Sequence, residues 1–366
     1  MIYQNTYITS IVIFLISISL SYFFISQILL KYNLFKKVSS YKISQDRWGD
    51  SNKPHIGGLA LSICSIFCCL IIIFNNSLII GDVNQEYKSF IGLFFVILLS
   101  TIIGIVDEKE NIQPFTKTVL QMILVSILLW AGFVIPLSNF FYLNIIFSLI
   151  WLFIFINATN MFDNVDLSLG IFSIVSFIAL ISVNLINGGS VNITYLILTY
   201  IGSLLAFLFF NKFPSKLFMG DIGSLQLGSI IGALSIKIFW DQYTYSNFFE
   251  LINTLIINNL IFLLIFLDVI IVVFVRLKND KSPFKGDTNH FAHMTIAYFN
   301  NPTLSEIFLF FLMSINVFFF FYASLFSSYD TIISLIIILT YCILYFLLIL
   351  IFYRKGLSKK QHYKMN

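Results

Sequence analysis

"FYLNIIFSLIWLFIFINATNMFDNVDLSLGIFSIVSFIALISVNLI", Phe141 to Ile186, holds two apolar runs joined by a knot of polar side chains. Either run is long enough to cross the roughly 30 Å hydrocarbon layer as a helix. At the joint, Asn157, Asn160, Asp163 and Asp166 recur every three residues. In a helix or its fraying end that spacing lines them along one slanted face. A merely solvated loop has no need of such a period.

The same grammar repeats outward from this joint. The 366 residues are 59% hydrophobic and 10% charged, with 43 Phe, far beyond what a soluble core of this size needs. Apolar runs fall at 7–30, 55–80, 89–106, 115–136, 140–156, 167–187, 192–210, 222–240, 252–275, 304–326 and 330–352. The expectation is an all-α, polytopic membrane protein of about 11 transmembrane helices, one membrane domain over 1–366 with a short basic tail at 354–366. The first run is too long for a signal peptide and lacks a small-residue cleavage site, so it reads as an uncleaved span. Cys64, Cys68, Cys69 and Cys342 lie inside apolar runs and behave as small hydrophobes.

Basic residues near span ends stay on the cytoplasmic side. With the 31–54 loop inside, 19 of the 21 Lys and Arg share that side, leaving only Lys88 and Lys237 outside. The expected topology is N-terminus outside, C-terminus cytoplasmic. The segments placed inside also carry the polar chemistry. A net charge of +4 with no aromatic-basic soluble domain argues against a nucleic-acid partner.

Asp107, Glu108, Asp163, Asp166, Asp221 and Asp287 gather on that face. Carboxylates at one depth of a membrane need a counter-charge, unless they are solvated loop charges. A hard divalent cation would supply it, and magnesium, held by one or two protein oxygens, implies a phosphate-bearing ligand. In "FPSKLFMGDIGSLQLG", Gly220 and Gly223 flank Asp221 at the start of an apolar run. A helix N-terminus there can face an anion, or Asp221 can be an ordinary cap. "KPHIGGLALS" brings Lys53 and a double glycine to a span entrance, where Gly57 and Gly58 also suit close helix packing. His290 and His293 stand three apart, with no HExxH and no nearby cysteine to suggest zinc.

Together these segments resemble the polyprenyl-phosphate N-acetylhexosamine-1-phosphate transferase superfamily, from about Lys53 to His293. "NATNMFDNVDLSLG" looks like that family's Asn-x-x-Asn-x-x-Asp-Gly-x-Asp-Gly-Leu-x-x-Gly, and "FMGDIGSLQLG" is similar to its Gly-Asp-x-Gly-Ser-Leu-x-Leu-Gly. "GIVDEKENIQPFTKTVLQ" sits where relatives have paired aspartates, a lysine and a glutamine; "NHFAHM" sits at their His-x-His-His run.

The resemblance implies a magnesium-dependent transferase of the bacterial plasma membrane, its active site facing the cytoplasm, with manganese as an alternative ion. It would move an N-acetylhexosamine-1-phosphate from a UDP-sugar to undecaprenyl or another polyprenyl phosphate, releasing UMP and starting a cell-envelope glycan. It implies Asn160 and Asp221 as metal ligands and Asp107 and Glu108 as the acidic pair activating the lipid phosphate. Lys117 would contact phosphate, and Arg276, His290 and His293 would lie near the nucleotide sugar. Lys53, Asn157, Asp163 and Asp166 complete the expected substrate contacts, and a homodimer is an allowed assembly.

Four positions depart from the pattern: Glu108 for the second aspartate, Asn164 for a glycine, Leu167 at or next to another, and Ala292 for the middle histidine. Asn can take positive φ but Leu scarcely can, so the loop is expected to follow its own path. The muramoyl-pentapeptide branch, with consecutive histidines, fits least well. Two other readings stand beside this one: a catalytically degenerate relative, and a secondary transporter using Asp268 inside its span. The signature of CDP-alcohol phosphotransferases is absent.

Overall fold

The computed structural model describes residues 2–30, 53–77, 85–240, 248–280, 289–327 and 331–365. Asp287 and the basic residues between 31 and 47 fall outside them. All regular structure among the described residues is helical, as composition leads one to expect. In lipid a helix satisfies its own backbone groups.

The described chain forms two compact units. In the first are α1 (Ile2–Phe23, continuing as a wider π turn over Phe24–Leu30), α2 (Gly58–Ser77), α3 (Gln85–Glu110), α4 (Pro114–Trp130), α5 (Phe141–Phe162), α6 (Ser168–Ile186), α7 (Val191–Asn211) and α8 (Gly220–Ser235, with a π turn to Trp240). The second holds α9 (Phe248–Leu260), α10 (Leu263–Lys278), α11 (Phe291–Phe299), α12 (Pro302–Ser327) and α13 (Thr331–Met365). Among the described residues nine helices are long and apolar enough to span a membrane, and the bent pair α9–α10 makes a tenth. With α4, apolar but only 17 residues long, each of the eleven runs corresponds to a helix or a bent pair.

In the first unit α8 is the axis, with α2, α3 and α5 packed around it. Every residue of α8 is buried, and the reason is glycine. A Cβ on Gly58 would lie 2.2 Å from the Gly223 nitrogen, one on Gly104 2.4 Å from the Ile222 Cα, and one on Gly228 2.2 Å from the Thr159 hydroxyl. Backbone therefore meets backbone, the mode of association favoured between helices in lipid. Polar side chains then close the middle of this bundle. Gln226 donates to Ser65 Oγ (2.9 Å) and to the Tyr200 hydroxyl (2.6 Å), and accepts from Ser62 (2.7 Å), which in turn accepts from Thr101 (2.8 Å). Four helices are tied by one network with its partners inside the protein.

Outer helices behave oppositely. On α1, Ile8, Ile11, Leu15 and Ile16 are exposed, and on α5 so are Phe147, Ile150 and Ile154. Large apolar groups on the outside of a helical bundle are what a lipid solvent accepts.

In the second unit α13 packs on α11, α12 and α9. Asn316 of α12 accepts from the Tyr341 hydroxyl (2.5 Å) and donates to that of Tyr345 (3.1 Å), pinning α12 to α13. The run at 252–275 is not one straight helix: α9 and α10 meet at 90°. At the break the Asn259 side chain donates to the Leu255 carbonyl (2.7 Å), and the Phe262 amide bonds Asn259 O three residues back (3.1 Å). The nine-residue α11 was too short to register as an apolar run. Residues 354–365 continue α13 as helix.

Candidate active site

Four helix ends meet at one end of the first unit: the last turn of α3, the first of α4, the last of α5 and the first of α8. Antiparallel succession brings them there, since α3 runs toward this end and α4 away, α5 toward it and α8 away. Asp107, Lys117, Asn160 and Asp221 arrive together. The Lys117 ammonium lies 3.2 Å from Asp107 Oδ2 and against Asp221 Oδ2 in a still closer pair. With its amide nitrogen turned toward Asp221, Asn160 donates to Asp221 Oδ1 (3.2 Å) and Ser224 Oγ (3.1 Å), while its oxygen accepts from Lys117 (3.2 Å). Asp107 Oδ1 also accepts the Ile112 amide at 2.9 Å, which fixes its carboxylate across the α3–α4 turn.

The charge count of this knot is two carboxylates against one ammonium. Asp107 and Asp221 are 3% and 9% exposed, so the charges of the knot are held where water screens them little. The donor set of Asp221 and Asn160 is hard oxygen, which suits magnesium. Among the described residues no group of three or more His, Cys, Asp or Glu could hold a metal, so an ion here would take its other ligands from phosphate and water.

The other expected residues are placed differently. Glu108, next to Asp107 on α3, turns toward His55 (Nδ1 to Oε1, 3.9 Å) and toward Gly220. The acidic pair thus diverges. Lys53 donates to Ser215 (3.2 Å) and lies over the Phe218 ring at 5.6 Å, on a strand-like seam where Gly57 N bonds Phe218 O and Phe218 N bonds Pro54 O. Asn157 donates back to Phe153 O within α5 (2.9 Å). Asp163 is the residue after α5 ends, and Asp166 lies in the turn to α6. The single slanted face expected of the four residues therefore stops at Asn160, because the helix does. Arg276, His290 and His293 belong to the second unit, where all three are buried.

Leu167 reverses an expectation. It adopts φ 63° and ψ −21°, a left-handed conformation that a bulky residue rarely takes, whereas Asn164 keeps negative φ. The Asn211 side chain holds it there: its oxygen accepts the Leu167 amide (2.7 Å) and its nitrogen donates to Leu217 O (2.8 Å). One buried amide thereby clamps the α5–α6 turn to the segment leading into α8. Asn211→Ala leaves both backbone groups without that partner, and an unsatisfied buried group costs about 1–3 kcal/mol. The variant is expected to be destabilised by about 2–4 kcal/mol, read as a Tm several degrees lower in detergent.

Sequence reasoning missed Ser224, His55 and Asn211. Ser224 had a signal, standing one helical turn after Asp221. Asn211 had none, since its partners are 44 and 6 residues away.

Comparison with known proteins bears directly on this arrangement. The model of glycosyl transferase family 4 matches residues 90–239, the stretch from α3 to α8 that supplies the knot. A phospho-N-acetylmuramoyl-pentapeptide-transferase of Streptococcus agalactiae is 31% identical over 233 residues, 57% of this chain and 67% of that protein. The chain belongs to glycosyl transferase family 4. Its likeness to the Streptococcus thermophilus protein of the same name is 30% over 233 residues, and to that of Streptococcus pneumoniae 32% over 206. This family 4 member spans 66% of the Streptococcus thermophilus protein's length, just under two thirds. These relatives belong to the branch that the histidine pattern had suggested fits least. Overall similarity runs toward that branch even though Ala292 interrupts the run.

Proposed function

We propose that the protein transfers a sugar-1-phosphate from a UDP-sugar to a polyprenyl phosphate, giving a lipid-diphospho-sugar and UMP. The observation that carries this reading is the buried Asp107–Lys117–Asp221 knot, with Asn160 against it, at one end of a membrane bundle. Phosphoryl transfer asks for positioning and charge neutralisation more than covalent chemistry. Asp107, held by the Ile112 amide, orients a polyprenyl-phosphate oxygen or takes its proton, and that oxygen attacks the β-phosphorus. Lys117 supplies a cation to the phosphates. A magnesium ion, held by Asp221 and Asn160, would neutralise the diphosphate of the donor.

The end bearing the knot is assigned to the cytoplasm. Lys53, Lys109, Lys117, Lys212 and Lys216 all lie on helix ends or links at that end, whereas Lys88, over the Trp130 ring, and Lys237 lie at the other. The donor is taken to be a UDP-N-acetylhexosamine. A UDP-linked N-acetylmuramoyl-pentapeptide is the second reading, favoured by the names of the relatives.

Membranes containing the protein, incubated with undecaprenyl phosphate, magnesium and a panel of UDP-sugars, are expected to release UMP with one donor class. Release with the muramoyl-pentapeptide donor alone selects the second reading. No release from any donor overturns the transferase assignment in favour of a degenerate or transport role.

A further inference from the structure

Where α7 runs out into the link to α8, two lysines lie over aromatic rings. The Lys212 ammonium is 4.8 Å from the centre of the Phe209 ring, and that of Lys216 is 6.0 Å from the centre of the Phe210 ring. Those rings meet edge to face at 5.3 Å, and Tyr22 of α1 packs against both, with centres 5.7 and 5.1 Å away. One aromatic platform thus carries two cations.

By position alone both are flanking residues of the kind that keeps a span end on its side of the membrane. Their surroundings add to that. Both lysines are exposed, and among the described residues neither makes an ion pair. A flanking lysine usually extends its head into water, whereas these are laid on rings, which attract a cation more strongly as water is excluded. The backbone beneath them is held too. The Lys212 amide, at the cap of α7, bonds Leu208 O, and the Lys216 amide bonds Phe210 O at 2.8 Å. α7 has 21 residues, about 30 Å of helix, so the residue that follows it comes at the level of the lipid headgroups. Phe209 and Phe213, to either side of Lys212 in the chain, are 51% and 49% exposed.

We propose that this platform binds an anionic phospholipid of the surrounding bilayer, its phosphate on the two ammonium groups and its acyl chains against Phe209 and Phe213. Charge complementarity selects that occupant: a zwitterionic lipid brings a cation of its own and fits less well. The platform is built from α1, α7 and the link after α7, whereas the knot is built from α3, α4, α5 and α8. It does not depend on the transferase reading.

The test uses the full chain, purified in a neutral detergent and stripped of lipid, with phosphatidylglycerol or phosphatidylcholine added back to the micelles and Tm followed. Phosphatidylglycerol should raise Tm by several degrees at a concentration lower than phosphatidylcholine needs, by on the order of tenfold for two cations at an anionic headgroup. Lys212→Gln with Lys216→Gln should keep the lipid-free Tm and lose this preference. Phe209→Leu, which leaves both charges in place, should lose part of it. Lys278→Gln with Lys355→Gln removes two exposed lysines of the second unit and should leave it intact. Should the first pair fail to fold, Lys216→Gln alone, outside α7, should weaken the preference.

Equal losses in the two double variants overturn the platform, because a diffuse surface field then accounts for the effect. A wild type that does not distinguish the two lipids overturns it as well, as does an undiminished preference in Phe209→Leu. The same rise in Tm from inorganic phosphate, or from undecaprenyl phosphate and not phosphatidylglycerol, overturns a bilayer phospholipid as the occupant.

Discussion

Asp221→Asn is expected to lose transfer by about 10²–10³-fold, the scale on which a single preorganised electrostatic contact counts at a phosphoryl or acyl centre. The substitution keeps the shape of the side chain but leaves one oxygen for two donors, Lys117 and Asn160, so expression and Tm in detergent are read beside activity. It also removes one of the knot's two carboxylates, and with it negative charge that would hold a divalent cation. Magnesium-dependent nucleotide binding should disappear with turnover. The check is UMP release together with equilibrium binding of the UDP-sugar with and without magnesium. Full activity in this variant would sink the metal assignment.

Gly220→Ala should be the most damaging single methyl group in the first unit. Gly220 takes φ 72°, a conformation that costs an L-residue about 1–2 kcal/mol. Its Cβ would also lie 2.0 Å from the His55 carbonyl oxygen, which is backbone and cannot rotate away. Forced overpacking costs a further 1–3 kcal/mol or so. The sum, on the order of 2–5 kcal/mol, moves the α8 N-terminus or unfolds it, and Asp221 is the next residue. Loss of the monodisperse species in detergent, or UMP release lowered at unchanged expression, is the expected outcome. A wild-type Tm with wild-type activity would mean that the His55 segment yields, and that this approach does not define the site.

Much of the bundle was legible because lipid demands long apolar helices, a coarse pattern that survives errors at the ends. All eleven runs became helices or, for 252–275, a bent pair. The bend was not legible, since no proline or glycine stands between 252 and 275 to mark it. Asp107, Lys117, Asn160 and Asp221 could be nominated one by one, because charged and amide groups next to apolar runs are conspicuous. Their convergence could not be read without the fold: Lys117 is 104 residues from Asp221. Leu167 shows the limit from the other side. Intrinsic preference argued against positive φ there, and one distant asparagine overrode it. Asp268 drew attention as a lone carboxylate in a span, and its bonds to His290 and the Phe291 amide, both more than twenty residues away, could not be read from its neighbours in sequence.

The full burial of α8 gives the knot a mechanical setting of its own. A helix that crosses the membrane yet presents no side chain to it has no direct sense of bilayer thickness or acyl order. Such changes act first on α1 and on the outer face of α5, whose exposed apolar side chains are solvated by lipid. They reach Asp221 through the helices around α8, where the glycine contacts of α2, α3 and α5 are too close to compress. A lipid-borne substrate of the kind proposed would thus meet a carboxylate whose helix the bilayer does not touch.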